Sequence, residues 1–301
     1  MAVLAAVNLI AVGLVAAPSQ AQTVTCNGTL SDQTIAATVV VPAGGVCQLV
    51  DVVVDGRTDV LESGNLFLNG SRIMGSFTVG VGGYAEPIDS RVDGMTTLHS
   101  DAGMFATRTR FNRLVDGQGT IFIYSDDSTH WGGIRVTGGE NIVRGAVVIG
   151  SIFADGVTQA DLFDTAVFGP VTVSSSTFGS VMCHMGAALS VSVSGSGGDI
   201  HIGVSETYGN CGFNLMGSLA VNNNIGADIQ ITRNVIGGNL SCSGNDPAPH
   251  GSLNLVGGST SGQCASLSPA PSPSSMTTEE TLTAPRLTNV LAMIEQMRTR
   301  H

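Results

Sequence analysis

Lysine is absent from this sequence, so all 12 basic residues are arginine, and 23 acidic residues bring the formal net charge to −11. A protein that binds nucleic acid through its phosphates needs a surplus of positive charge, so this composition argues against such a partner. Aromatic residues make up only 5% of the chain and charged residues only 12%. Good helix formers are scarce, whereas 40 glycines accompany abundant Val, Ser and Thr. This balance is typical of many short strands joined by tight turns.

Long hydrophobic runs are also lacking, with one exception between Ala2 and Ala17. Pro18-Ser-Gln-Ala21 follows this run and supplies the small residues that a signal peptidase recognises. The sequence therefore predicts a signal peptide over residues 1–21, a secreted or cell-envelope-associated protein, and no transmembrane segment after cleavage. No Lys or Arg precedes the run, and the alternatives are a buried segment of the domain or an uncleaved anchor.

A short phrase recurs with a period of about ten residues and predicts a solenoid. Each unit holds one short alternating strand and one corner rich in Gly or Asn, and two units would complete a coil of about 20 residues. The phrase occurs as Phe168-Gly-Pro-Val-Thr-Val, Phe178-Gly-Ser-Val-Met-Cys, Leu189-Ser-Val-Ser-Val and Ile200-His-Ile-Gly-Val. Strands this short must stack to bury their apolar sides. We therefore predict an all-β, single-stranded parallel β-helix over residues 22–264, with roughly eleven coils and a length of about 50 Å.

The period weakens between Tyr84 and Gly139, where nearly half of the arginines and the only tryptophan occur. Loops that leave the solenoid would explain this change. Such loops either have no role beyond connecting strands or form a binding face, as insertions in repeat proteins often do.

The C-terminal end differs in composition from the repeats. Residues 265–284 are rich in Ser, Pro and Thr and predict a flexible linker. Residues 285–301 predict one short amphipathic helix. Its apolar stripe consists of Leu287, Val290, Leu291, Ile294 and Met297. This helix either caps the open end of the solenoid, pairs with a partner, or is only marginally stable.

Six cysteines suit an oxidising compartment and permit complete pairing, although six cysteines allow fifteen connectivities. Sequence proximity favours three disulfides, and pairs at the two ends would staple the terminal coils. These pairs are Cys26 with Cys47, Cys183 with Cys211, and Cys242 with Cys264. The rival explanation, a zinc site, lacks any Cys-x-x-Cys or His-x-x-x-His pair. We predict no metal and no cofactor.

Both ends of the repeat region resemble a widespread group of secreted bacterial right-handed parallel β-helix proteins. At the C-terminal end, the resemblance lies in the run from Gly226 to Pro249 and in Gly257-Gly-Ser-Thr-Ser-Gly-Gln-Cys264. At the N-terminal end, it lies in Cys26-Asn-Gly-Thr-Leu and Val41-Pro-Ala-Gly-Gly-Val-Cys. The group is largely uncharacterised, so the resemblance implies a fold and not an activity. Bactofilins are similar in their Val- and Gly-rich repeats, but the leader and the cysteines argue against that family.

Many solenoids of this shape cleave acidic polysaccharides, and one segment carries residues suited to that chemistry. Ser125-Asp-Asp-Ser-Thr-His-Trp-Gly-Gly-Ile-Arg135 combines paired carboxylates with His and a tryptophan that could stack on a sugar. Ordinary turn chemistry explains the same segment. The catalytic candidates are Asp126, Asp127, His130 and Arg135, and the binding candidates are Trp131, His99 and Asp101. His184 and His201 are expected inside strands as structural histidines.

These features favour a secreted structural or surface-presenting protein that is not an enzyme. Extracellular glycan or further copies of the chain are its expected partners. The alternatives are a polysaccharide lyase or glycoside hydrolase that uses residues 126–135, and an adhesin whose middle loops contact a host or neighbour.

Overall fold

A computed structural model shows a β-solenoid of about 12 coils, nearly all of it parallel β-structure. It describes residues 22–203, 213–226 and 228–268, together with the isolated positions Ala292 and Glu295. The predicted all-β, single-stranded parallel β-helix is therefore confirmed.

Several predictions concern residues outside these ranges. The predicted signal peptide, residues 1–21, lies entirely outside them, and the predicted linker is described only as far as residue 268. Within the predicted C-terminal helix, Ala292 and Glu295 are both helical and exposed.

Each coil contains three strands, which corrects the expectation of two strand-and-corner units per coil. Neighbouring coils align with a shift of 19 residues over much of the solenoid, as in the hydrogen bond between Ser71 and Ser90. The length of one coil is thus close to the predicted length of about 20 residues, but each coil is divided into three strands and not two. Three strands per coil give the solenoid three faces, which we call the long face, the short face and the third face.

The long face is an 11-stranded sheet in which most strands have five residues. Its strands are Gly28–Ser31, Val46–Val50, Asn65–Asn69, Tyr84–Ile88, Gly103–Thr107, Phe122–Asp126, Glu140–Arg144, Gln159–Phe163, Gly179–Cys183, Asp199–Gly203 and Ile229–Thr232. Strands of two or three residues build the short face. They are Thr34–Ile35, Val53–Val54, Arg72–Ile73, Arg91–Val92, Arg110–Phe111, Thr129–His130, Val147–Val148, Ala166–Val167, Asn234–Ile236 and Leu255–Val256.

The third face completes each coil. Its strands are Thr23–Thr25, Thr38–Val41, Thr58–Val60, Phe77–Val79, Thr96–Leu98, Val115–Gln118, Ile134–Thr137, Ile152–Asp155, Val171–Ser174, Leu240–Ser243 and Thr260–Gly262. Two nine-residue strands, Gly186–Ser194 and Asn214–Asn222, run through both the short and the third face. A 3-10 helix at Gln263–Ser266 follows the last strand.

The alternating residues of all three faces fill one continuous core. Leu49, Leu68 and Val79 are typical members, each no more than 1% exposed. Because successive side chains of a strand point to opposite sides, one residue in two enters this column and the other faces outward. Stacking of the coils therefore buries apolar side chains that no isolated coil could bury.

The corner between the long and the short face uses left-handed backbone. Asp51, Asp89, Asp127 and Asp164 occupy equivalent positions there, with φ between 48° and 53°. Aspartate tolerates this region better than most residues because its short polar side chain bonds locally. His184 takes the same conformation, with φ 54°, directly after the strand Gly179–Cys183. The expectation that His184 lies inside a strand is therefore wrong, whereas His201 does lie in Asp199–Gly203.

The segment from Tyr84 to Gly139 is regular, which corrects the prediction of loops that leave the solenoid. Tyr84 pairs with Gly103 and Gly103 with Phe122, so the coils follow the common repeat. The longer coil lies elsewhere: Ile200 pairs with Ile229, and this coil exceeds the 19-residue repeat. Residues 204–212, which fall in that coil, lie outside the described ranges.

Disulfides join the terminal coils to their neighbours. Cys26 bonds to Cys47 and Cys242 bonds to Cys264, which confirms two of the predicted pairs. Cys183 is also disulfide-bonded. Its predicted partner, Cys211, lies outside the described residues.

Candidate functional site

His130 points into the solenoid and away from any external substrate. Its ring is fully buried and stacks on Phe111 with ring centroids 4.9 Å apart. Its Nε2 lies 2.8 Å from the Ser125 hydroxyl oxygen. Burial lowers the pKa of His130 to about 3, so the imidazole is neutral at physiological pH. A general acid or base must reach the reacting group, and this side chain does not.

The other catalytic candidates lie on different sides of the coil. Asp126, at the end of a long-face strand, accepts two hydrogen bonds of 2.8 Å from Arg144. Asp127 occupies the next corner. Arg135 lies on the third face, where it makes hydrogen bonds of 2.7 and 2.8 Å to Asp116 and lowers the pKa of that carboxyl. The structure thus does not bring these groups together around one point.

His99 and Asp101 lie next to each other at the corner that follows the third face. Both are exposed, and Asp101 has the left-handed φ of 60° that this turn requires. Their positions are accessible, but Trp131 follows the short-face strand Thr129–His130, which lies two coils further along.

Trp131 is the candidate whose position suits binding. It follows the short strand Thr129–His130 and is 48% exposed. The guanidinium carbon of Arg110, one coil earlier, lies 4.9 Å from the centre of the indole ring. This contact fixes both groups and leaves much of the ring open to solvent.

Arg110 belongs to a stack of arginines on the short face. Arg72 pairs in register with Arg91, and Arg91 with Arg110. Successive strands are about 4.8 Å apart, so like charges lie directly above one another. We call Arg72, Arg91 and Arg110 the arginine column. Directly opposed like charges destabilise a sheet, so this arrangement needs a compensating group.

One carboxylate supplies part of that compensation. Asp93 accepts a 2.7 Å hydrogen bond from Arg72 and a 2.6 Å bond from Arg91. Partial burial raises the pKa of Asp93, but the hydrogen bonds from Arg91 and Arg72 outweigh it and hold that pKa below its usual value. Arg110 bonds instead to the neutral amide oxygen of Asn112, at 2.7 Å. Two of the three guanidinium groups therefore share the Asp93 carboxylate and the third pairs with a neutral amide, so the column retains positive charge on a chain of net charge −11.

The sequence analysis does not identify the arginine column, although the spacing of the three arginines is visible in the sequence. Arg72, Arg91 and Arg110 recur with the 19-residue repeat, and each precedes one buried apolar residue of the short face. A search for polar residues at the period of the coil would have found them. The predicted period of about ten residues concealed the pattern.

Beyond Trp131 the short face becomes apolar. Outward side chains in its later coils are strongly exposed, notably Phe168 at 56%, Leu215 at 54% and Leu255 at 67%. A shallow groove of about 390 Å³ runs among Ala166, Phe168, Leu215 and Val235. An exposed apolar strip of this extent is typical of an interaction surface.

A cluster of two histidines and one carboxylate lies on the long face near its C-terminal end. His250 Nε2 is 2.5 Å from one Asp228 oxygen, and His201 Nε2 is 3.2 Å from the other. His201 and, secondarily, His250 lower the pKa of Asp228 to about 2 against the opposing effect of burial. Among the described residues, no group of three His, Cys, Asp or Glu side chains has an arrangement that could hold a metal ion.

The chain matches no protein-family model, no curated protein and no solved structure. Within the described ranges, none of the helices is long and apolar enough to cross a membrane. The candidate site consists of an in-register arginine column, a carboxylate that two of its arginines share and an exposed indole on the short face of a parallel β-solenoid.

Proposed function

We propose that this protein is a secreted, non-enzymatic β-solenoid that binds an acidic polysaccharide through the arginine column and Trp131. The observation that carries this proposal is that three guanidinium groups stack in register beside an exposed indole, while the Asp93 carboxylate bonds to only two of them. Guanidinium groups pair with carboxylates and sulfates in a planar fork, and indole rings stack on the apolar faces of sugars. A linear polyanion that lies along the solenoid axis would meet both kinds of group in successive coils.

Two features support an extracellular or envelope location. The leader at residues 1–21 predicts export, and disulfides at both ends of the solenoid suit an oxidising compartment. The resemblance to secreted bacterial β-helix proteins supports the same location. We therefore place the protein outside the cell or in its envelope, where acidic polysaccharides occur.

Catalysis has less support than binding. The lyase and hydrolase hypotheses depend on Asp126, Asp127, His130 and Arg135 acting together, and these side chains occupy the long-face edge, the corner, the interior and the third face. Asp126 and Arg135 are each held in an ion pair with another residue. The arginine column requires no such convergence, because each coil contributes a binding group independently.

Binding is tested by isothermal titration of the mature chain with acidic and neutral polysaccharides at low and high salt. We expect affinity for at least one acidic polymer that falls steeply with salt, because binding displaces counterions. The double variant Arg91→Ala with Arg110→Ala should weaken binding by about tenfold or more, and Trp131→Ala by a smaller factor. Arg108→Ala is the matched control, because Arg108 is also solvent-accessible but bonds to Asp89 at the long-face corner. Binding of no acidic polymer, or equal affinity of the double variant and the wild type, would refute the proposal.

Self-association is a second candidate function, favoured by the exposed apolar half of the short face. A second copy could cover Phe168, Leu215 and Leu255 and remove them from water. Light scattering should then show assemblies that grow with concentration and that Leu215→Ser abolishes. Phe153→Ser is the control, because Phe153 is exposed on the third face. A monomer at all concentrations would eliminate this candidate and leave glycan binding unaffected.

A further inference from the structure

The long face has a second apolar cluster on its outward side. Tyr84, Phe122, Tyr124 and Ile142 form this cluster, apart from the main core. Their orientation follows from strand parity: Ala85, next to Tyr84, belongs to the core, so Tyr84 points outward. Yet Tyr84 and Phe122 are both 0% exposed.

Buried carboxylates share this outward surface. Glu86 is 6% exposed, Glu140 is 9% exposed and Asp161 is 2% exposed. The Tyr84 hydroxyl donates a 2.6 Å hydrogen bond to Glu86. Burial of carboxylates costs free energy unless donors or cations accompany them. The Val181 amide also donates a 2.9 Å hydrogen bond to Asp161. A covering layer that carries positive charge as well as apolar side chains would stabilise these carboxylates further.

Neighbouring strands alone do not bury a tyrosine that points away from the sheet, because a sheet face is removed from solvent by a second layer. The described side chains that pack against the cluster are Phe67, Phe105, Ile121 and Phe163. All of them lie on the long face or at its edge. One coil from Phe67, by contrast, Gln48 in the equivalent outward position is exposed, so the covering layer has a defined end.

We propose that the C-terminal segment 285–301 lies along the long face as an amphipathic helix and covers the outward cluster. The apolar stripe of Leu287, Leu291 and Ile294 supplies the contact. Ala292 and Glu295 lie off that stripe, and both are helical and exposed, as the outer side of a docked helix would be.

The dimensions of the segment and the face agree. A 17-residue helix is about 25 Å long. The cluster and its packing partners extend from the strand Asn65–Asn69 to the strand Gln159–Phe163, six neighbouring strands that span about 24 Å. The 16 residues of chain between Ser268 and Pro285 reach up to about 50 Å when extended, enough to return from the last coil.

The charges agree as well. The segment carries Arg286, Arg298 and Arg300 against one acidic residue, Glu295, so it is positive on an acidic chain. Arg298 follows Leu291 and Ile294 on the apolar stripe at helical spacing and therefore faces the sheet. The covered face, in turn, holds the carboxylates of Glu86, Glu140 and Asp161. The helix is thus a lateral cover of the solenoid and not a cap on its open end.

A photo-crosslinking experiment on the mature chain from Gln22 to His301 tests this placement. Benzoylphenylalanine replaces Leu291 in one protein and Ala292 in the matched control. We expect the probe at position 291 to crosslink to peptides that contain Tyr84–Ile88, Phe122–Asp126 or Glu140–Arg144, at a yield at least severalfold above the probe at position 292. Isotope-mixed samples should show that the crosslinks form within one chain.

Other outcomes would overturn the proposal. Crosslinks to residues 253–268 would indicate an end cap, and crosslinks between chains would indicate a partner copy. Absence of crosslinks to the long face would show that segment 285–301 is not its cover. As a second measurement, Leu291→Glu with Ile294→Glu should increase binding of a hydrophobic dye severalfold, with strand content unchanged by circular dichroism, whereas Ala292→Glu should not. Equal dye binding by both variants would also refute the proposal.

Discussion

The corner between the long and the short face is built with different chemistry in the two halves of the solenoid. In the N-terminal half, hydroxyl groups form a ladder: the Ser71 amide donates to the Ser90 hydroxyl at 3.1 Å, and the Thr109 amide donates to the Ser128 hydroxyl at 3.0 Å. In the C-terminal half, asparagines occupy the same corner. The Asn234 amide donates to the side-chain oxygen of Asn254 at 3.1 Å.

The amide ladder makes more bonds for each side chain. The side chain of Asn234 is both donor and acceptor. Its Nδ2 donates to the Ile202 carbonyl and to Asn254 Oδ1, both at 2.9 Å. Asn214 Nδ2 in turn donates to Asn234 Oδ1 at 3.0 Å. A hydroxyl has one proton and cannot join three coils in this way. The stronger ladder occurs where the coils depart from the 19-residue repeat, so it holds the stack together where regular spacing is lost.

Removal of one amide should expose this difference most clearly. Asn234→Ala leaves the Ile202 carbonyl and the Asn214 amide without their partner in a buried corner, and we expect a loss of about 3 kcal/mol in the free energy of unfolding. Urea denaturation followed by circular dichroism measures it. A loss below 1 kcal/mol would show that the two ladders are equivalent.

The second largest effect should be a loss of stability at acid pH that originates in the N-terminal half, because His130 is buried and neutral there. Its folded pKa of about 3 lies below the unfolded value of 6.5, so only the unfolded chain binds the proton between these pH values. Stability should therefore fall by about 1.4 kcal/mol per pH unit as the pH decreases from 6.5.

Comparison of wild type with His130→Phe between pH 7 and 5 tests this expectation. The variant should lose about 2 kcal/mol less than wild type over that interval. The pKa of Asp228 in the C-terminal half is also lowered, but for a carboxyl group this shift stabilises the folded state: the stabilisation is present above pH 3.8 and is lost only as the pH falls toward 2, so it does not change in this interval. Parallel pH profiles of the two proteins would contradict the assignment to His130.

The hydroxyl ladder should show the smallest effect. Thr109→Val keeps the shape of the side chain but removes the oxygen that accepts from the Ser90 amide at 3.4 Å, and we expect a loss of about 1 kcal/mol. Thr78→Val, on the outward side of the third face, should change stability by less than about 0.5 kcal/mol. The same urea experiment measures both, and equal losses would show that the corner hydroxyl has no special role.

The fold could be predicted from the sequence because the core repeats. Val, Ile and Leu recur at alternate positions between Gly- and Asn-rich corners, and the short regular period of this pattern favours stacked coils. The division into three strands could not be predicted, because two-residue strands such as Arg91–Val92 are too short to show an alternation. The region from Tyr84 to Gly139 was predicted irregular because its outward positions hold bulky or charged residues, although inward residues such as Ala85 and Met104 follow the repeat.

Prediction of the site was less successful for a related reason. Proximity in sequence suggested that residues 125–135 act together, but alternation and the corners send His130 inward and Arg135 to the third face. Side chains that meet in a solenoid are separated by one coil, as Arg91 and Arg110 are. Trp131 was selected for its chemistry alone, and only the register placed it beside Arg110.

The 19-residue register of the regular coils has a consequence for how such a chain can change in length. Because residues 19 apart are vertical neighbours, insertion or deletion of one whole repeat would leave every inward position inward and every corner aligned. Such a change would move the charged and apolar halves of the short face closer together or further apart by about 4.8 Å without altering either. The separation of two surface features along the solenoid axis is thus set by the number of coils between them, and it can change only in steps of one coil.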